Sequence, residues 1–327
     1  MSTSRIHYID VSKGIAIVLV ILGHCSAYSI GDHSRLFYTI YAFHIPFWFF
    51  ISGLLYHTRD WQSYFSRKVK SLVLPYILFC LCNTCFYFLA SIIGHISLYR
   101  LISFGGLWFI LTLFYVTILY YLADTICLKG CNTTSKSIIV SLFAILALFV
   151  GIGDSSIINE SYTLSVSLVA FFFFRLGVFS QRAVEWLSST NRIVLLSISL
   201  LLLSILALTA PMNPSPIDVR IGRFGNRFLF VSQAVLGIAG MSLLSIAISA
   251  NRHLEYLGRN SLLIFALHFP VWRLSNHFFS GWGLKGYYLL GCVFACTVIV
   301  TLLILIPINK YFPWFKGEYC FLESNNN

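Results

Sequence analysis

Charge is scarce in this chain. Of 327 residues only 10% are charged, and acidic residues number 11 against 22 basic ones. So few charges cannot cover a water-facing surface, which excludes an ordinary soluble globular protein. No hydrophilic block is long enough to fold separately: residues 1–316 read as a single integral-membrane domain and 317–327 as a polar tail. No internal repeat, direct or inverted, is apparent. The nine cysteines are an odd number, and Cys25, Cys80, Cys82, Cys85, Cys292 and Cys296 lie inside apolar runs. That argues against a disulfide framework and for buried free thiols acting as small hydrophobes. Cys82-x-x-Cys85 has redox spacing but no soluble context.

What fills the chain is apolar: 58% hydrophobic residues, with a mean hydropathy of +0.83. Ten runs are long enough to cross a bilayer, at 14–30, 36–56, 72–94, 107–123, 138–153, 163–180, 193–210, 228–250, 260–278 and 286–309. The expected class is an all-α polytopic membrane protein. The first run reads as a retained span, because its polar landmarks lie within it. Ten spans put both termini and the even connections on one side. That side carries 15 of the 22 Lys and Arg residues, so the positive-inside rule places both termini in the cytoplasm. The basic excess is a topology signal, and nucleic acid is excluded as a partner. Trp61, Trp186, Trp282 and Trp314 fall near span ends, as interfacial tryptophans do.

Histidines stand where charge does not. Lys13 and His24 are eleven residues apart, three helical turns plus about 20°, so they share one face at a separation of roughly 16 Å. A cation then sits at the membrane boundary and an imidazole near mid-bilayer, where polar groups are costly and usually functional. His44 and His268 each lie about 12 Å into their spans, and each precedes a proline, Pro46 or Pro270, by two residues. A proline so placed frees a carbonyl and can bend the helix around a cavity. Each histidine either packs with a ring N–H on a nearby carbonyl or takes part in chemistry. A three-histidine metal site is possible by ligand type, but no carboxylate lies at that depth, and no metal is expected.

Two basic groups frame these histidines. Arg67, Lys68 and Lys70 stand before the third span, on a basic amphipathic connection at 57–71. They read either as an anchor to anionic lipid or as a clamp for a phosphorylated cosubstrate. Arg220, Arg223 and Arg227 lie on the outer connection at 211–227, against the topology rule. They would suit an anionic acceptor or a lipid pyrophosphate.

Several of these stretches, taken in order, resemble acyltransferase family 3 membrane enzymes. Asp10-x-x-Lys13-Gly14 followed by His24 resembles the opening motif, and Phe43 to Gly53 the second-helix signature. Arg67 to Pro75 resembles the basic third-helix start, Gly106-Leu107-Trp108-Phe109 the fourth, and Leu257 to His268 the late helix. The likeness is nearest to the stand-alone fucose 4-O-acetylase-like branch, which includes O-antigen and Nod-factor acetylases. It implies an O-acetyltransferase of the bacterial inner membrane, moving acetyl from acetyl-CoA to a sugar hydroxyl of a surface polysaccharide or lipid-linked precursor. Lys13 and His24 take the family's invariant-type positions. Lys13 replaces the commoner Arg, keeping the charge but losing the bidentate fork.

In the mechanism this implies, Arg67, Lys68 and Lys70 hold the donor's phosphates and Lys13 stands at the channel mouth, the pantetheine arm threading inward to His24. His24 acts as general base or carries the acetyl group itself. His44 or His268 orients it or polarises the thioester, and Trp108 stacks on a sugar or adenine or anchors the helix at the interface. The rival reading is a transporter or flippase whose histidines line a pathway.

Overall fold

The computed structural model describes residues 7–92, 107–153 and 162–312. The tail at 317–327, together with Arg5, Arg100, Gly106, Trp314 and Lys316, lies outside the described residues. Within them there is no strand; the one sheet-like pairing is an isolated bridge between Asp218 and Arg223. The helices are α1 (His7–Ser29), α2 (Arg35–Tyr41), α3 (His44–Leu54), α4 (Trp61–Lys68), α5 (Leu74–Ile92) and α6 (Trp108–Tyr121). They continue as α7 (Thr133–Gly151), α8 (Tyr162–Leu187), α9 (Arg192–Thr209), α10 (Arg227–Ile248), α11 (Arg252–Arg259), α12 (Ser261–Gly281) and α13 (Gly286–Tyr311). Nine helical stretches among the described residues are long and apolar enough to cross a membrane. The protein is all-α and polytopic. The expected ninth run is α12, whose 21 residues extend about 31 Å. His268, Arg273, Asn276 and His277 dilute its apolarity, so it matches a span by length but not by composition.

Local chemistry explains two departures from the expected runs. The second run is not one helix: α2 stops at Tyr41 and α3 starts at His44. Pro46 has no N–H to give the Ala42 carbonyl, which favours a break at Ala42–Phe43, although Pro270 in the matching place of α12 is carried within a continuous helix. The third run begins earlier than expected, at Trp61. Asp60 accepts the Ser63 N–H at 2.8 Å and starts α4, and the chain passes through a π-helical turn at Val69–Val73 into α5. The basic connection is therefore the first part of a long helix. Side-chain caps also start α7 at Asn132, α9 at Asn191, α10 at Asn226 and α11 at Asn251.

Helix α1 is the hub, packed by α2, α3 and α10 to α13. Small residues let the backbones meet, as bilayer packing favours. Gly258 of α11 faces the Asp10 carbonyl and Gly14 of α1 faces the Leu254 carbonyl. Gly53 of α3 and Gly177 of α8 meet in the same way. Outward faces are apolar: Phe149 of α7, Leu208 of α9 and Ile306 of α13 are all more than half exposed, which suits a surface wetted by lipid.

Buried polar side chains pin the rest. Arg175 of α8 donates to the Ser137 carbonyl at 3.0 Å and to Ser137 Oγ, Ser141 Oγ and the Tyr120 hydroxyl at 2.6, 3.1 and 3.1 Å. It thereby ties α8 to α7 and α6. Gln181 donates to the Leu54 and Tyr56 carbonyls at 3.1 and 2.9 Å, satisfying groups that the end of α3 leaves open. Beside them the Tyr56 hydroxyl donates to Asp124 at 3.0 Å.

Candidate functional site

His24 sits in the last two turns of α1, on the wall of a cavity of about 340 Å³. Val20, Ala27 and Tyr28 of the same helix line it, with Phe37, Tyr41, His44 and Ile45 from α2 and α3. Trp108 and Phe109 come from α6, and Phe265, Phe269 and Arg273 from α12. Asp32 and the loop residues Asp218, Val219 and Arg220 form the rim. These rim residues mark the end of the bundle opposite Lys13.

The three histidines converge. The Tyr41 hydroxyl lies 3.4 Å from His24 Nδ1. Behind His24, the His268 ring packs at 5.4 Å between centroids, with Phe269 edge-on at 5.7 Å. His44 lines the cavity, 4.6 Å from the Tyr41 ring, whereas His268 is fully buried behind it, 1% exposed. His44 Nδ1 lies 2.9 Å from the Ile40 carbonyl. His268 Nδ1 lies 2.7 Å from Phe265 O and 3.1 Å from Ile264 O. Because a carbonyl only accepts, Nδ1 carries the proton in both rings and Nε2 is left as an acceptor. For His268 that Nε2 is buried without a hydrogen-bond partner among the described residues.

The two helices that supply these rings share a heptapeptide. Residues 40–46 read Ile-Tyr-Ala-Phe-His-Ile-Pro and residues 264–270 read Ile-Phe-Ala-Leu-His-Phe-Pro. In both, the histidine bonds back to the isoleucine carbonyl one turn earlier. The expectation of no internal repeat is corrected at this scale. A unit of seven residues carries no hydrophobic period of its own, and only the shared hydrogen bond shows that the likeness is structural. The copies run in opposite directions, since α2 leaves the cavity rim at Asp32 while α12 starts beside α11 at the Lys13 end and reaches the rim at Arg273.

No carboxylate is expected at the depth of the histidines, but one stands on the rim of their cavity. Asp218 lines the cavity, 3.6 Å from the Arg220 guanidinium. Depth counted along helices misses a loop that folds back over them. Asn213 holds this loop shut, donating to the Phe224 carbonyl at 3.2 Å and accepting the Asn226 N–H at 2.9 Å. Asp218 and Arg223 exchange backbone hydrogen bonds at 2.8 and 3.0 Å. Of the three outer arginines, Arg220 lines the cavity, while Arg223 and Arg227 lie outside its wall.

The second basic group sits at the other end. Lys68 is within electrostatic reach of Lys13 and Arg67, and its ammonium lies 5.5 Å from the Tyr64 ring centre. Arg67 and Lys70 are exposed. Along the face of α1 that joins Lys13 to His24, Ile17 is 0% and Val20 2% exposed. The open channel expected between them is closed in this structure, because apolar side chains fill that face. Reasoning from the sequence missed Tyr28, Tyr41, Asp218 and Arg273 as wall residues. The heptapeptide was the legible sign for Tyr41; the others depend on tertiary contacts.

A family model described as an acyltransferase domain matches residues 6–309. No curated protein and no solved structure matches the chain.

Proposed function

The chain belongs to acyltransferase family 3 and is an acyltransferase, and on that premise we propose acetyl-CoA as donor and a sugar hydroxyl as acceptor. The acceptor belongs to a surface polysaccharide or its lipid-linked precursor, of the kind used by the fucose 4-O-acetylase-like and O-antigen branch, in a bacterial inner membrane. The observation that carries this reading is the placement of His24. It faces an aromatic, polar cavity on one side of the bundle, with Lys13 three turns down the same helix and Arg67 and Lys68 of α4 near Lys13 at the other end.

The cavity suits a hydroxyl-rich ligand. Arg220 and Arg273 on its wall are matched by Asp32 and Asp218, so the formal charges cancel while donors and acceptors remain. Trp108 and Tyr28 offer ring faces on which a sugar can stack. The cations at the Lys13 end suit the donor's phosphates, although the thioester can reach His24 only if the side chains around Ile17 part. In the transfer, the acceptor oxygen forms a bond to the acetyl carbon as the C–S bond breaks. His24 takes the hydroxyl proton and returns it to the leaving thiolate, or first carries the acetyl itself. Neither route consumes or releases a net proton.

The experiment is transfer of radiolabelled acetyl from acetyl-CoA in membranes containing the native chain or His24→Ala. Label in a glycan fraction with the native chain alone is expected. Equal labelling by both removes His24 from the chemistry, and no labelling by folded native protein overturns donor and acceptor together.

A further inference from the structure

From the cavity wall the Tyr41 hydroxyl reaches the His24 ring. Tyr41 is the last residue of α2, at the break before α3, and its ring is stacked on Phe37 at 3.7 Å and 22°. His44 packs against its other side at 4.6 Å and 60°. Gly23, next to His24, provides the room: a Cβ there would lie 3.1 Å from Tyr41 Cε2, tighter than ordinary contact. The ring is held on three sides, with its hydroxyl 3.4 Å from His24 Nδ1.

The heptapeptide shows what is particular about this residue. The position of Tyr41 in the first copy is filled by Phe265 in the second. Both rings line the cavity, but only one carries a hydroxyl. The other two histidines each have Nδ1 committed to a carbonyl, which fixes the proton on that nitrogen and frees Nε2. Among the described residues no carbonyl bonds the His24 ring; the Tyr41 oxygen lies beside its Nδ1 instead. A distance of 3.4 Å is long for a resting hydrogen bond, and such contacts shorten when substrate fills a site.

We propose that Tyr41 is the positioning residue of His24: its hydroxyl oxygen accepts the Nδ1–H and leaves Nε2 as the nitrogen that acts. This rests on His24 being the reacting group and serves either route, since a base and an acetyl carrier both need one nitrogen free and the ring held still. The Tyr41 proton stays on its oxygen throughout.

The test is Tyr41→Phe, which keeps the stack on Phe37 and removes only the hydroxyl. Initial rates of labelled acetyl transfer to endogenous membrane glycan are measured over a range of acetyl-CoA concentrations, beside the native chain and His24→Ala. The expected result is a fall in apparent kcat of about ten- to a hundredfold, with KM for acetyl-CoA within about twofold and thermal unfolding in detergent unchanged. A residue that merely packs would not produce that split. Tyr41→Gln, which restores an oxygen acceptor, is expected to recover part of the lost kcat. It also carries the test should the phenylalanine variant fail to fold, with activity at the His24→Ala level then overturning the proposal. Native kcat in Tyr41→Phe with His24→Ala inactive overturns the positioning role alone, while native activity in both variants overturns the role of His24 first.

Discussion

Gly258→Ala and Gly291→Ala are the same chemical change in two helices, and the structure gives them opposite signs. At Gly258 a Cβ would overlap the Asp10 carbonyl oxygen and come within 2.7 Å of its carbon. Ordinary contact begins at 3.4 Å, so α11 must move from α1 by at least the 0.7 Å between those values. Neither side can yield by turning a side chain, since both surfaces are backbone. Overpacking of this kind costs about 1–3 kcal/mol, and Gly14 against Leu254 forms a second point of closure on the same seam. At Gly291, on the exposed side of α13, nothing lies within 4 Å of the added methyl. There alanine removes the conformational freedom of glycine from the unfolded chain and stabilises the helix by about 0.5–1 kcal/mol. Unfolding by SDS in mixed micelles, followed by circular dichroism, separates the two. Gly258→Ala should lower the midpoint and Gly291→Ala should raise or preserve it. Since α1 carries Lys13 and His24, Gly258→Ala should also slow acyl transfer in protein that remains folded. Equal midpoints for the two variants would refute the claim that backbone contact holds this seam.

Other consequences are as direct. Arg220→Ala should reduce acyl transfer by about tenfold, one lost charge-assisted contact, whereas Arg223→Ala should stay within about twofold, because the bonds Arg223 makes to Asp218 are backbone ones; equal losses would contradict the placement of the cavity rim. Arg175→Leu should cost about 2–4 kcal/mol of stability as its hydrogen bonds to α7 and Tyr120 vanish. Arg175→Lys should restore only part, since one ammonium cannot reproduce the fork; full recovery in the same SDS titration would count against this account. The Ser63 N–H holds the Asp60 carboxyl below the usual carboxylate range. Its contribution to α4 is therefore fully present above about pH 4 and is lost as the pH falls through the depressed value. Protection of the Ser63 amide, its exchange rate relative to the intrinsic rate at each pH, should fall in acid in the native chain and not in Asp60→Asn, which still caps; identical protection profiles would refute the cap.

The bilayer made much of this fold readable. Apolar runs of helical length must bury every backbone group in a helix, so the positions of α1, α5 to α10 and α13 follow from composition. α12 was legible as a run, but the placing of His268 beside His24 and of Arg273 on the cavity wall depends on tertiary contacts. The helix break at Ala42–Phe43 was foreshadowed by Pro46, yet its place was not, since a proline acts on the carbonyl four residues before it. Lys13 and His24 on one face followed from periodicity alone. What lay beyond reach was the approach of residues distant in sequence. Asp218 and Arg220 stand on a loop expected on the outer side of the membrane, and Tyr41 drew no attention in the sequence. The helix caps at Asn132, Asn191, Asn226 and Asn251 were in plain view, and each marks a boundary better than hydropathy does.

If donor and acceptor reach His24 from opposite ends of the bundle, as the proposed function has it, the arrangement creates a hazard for the cell that owns the membrane. A continuous hydrated path along α1 would let ions run down the gradient on which that cell depends. Ile17, wholly enclosed one turn below Val20, keeps such a path dry. On that proposal the side chain that gives way to the donor is also the seal against leakage, and the enzyme would have to open on one side at a time.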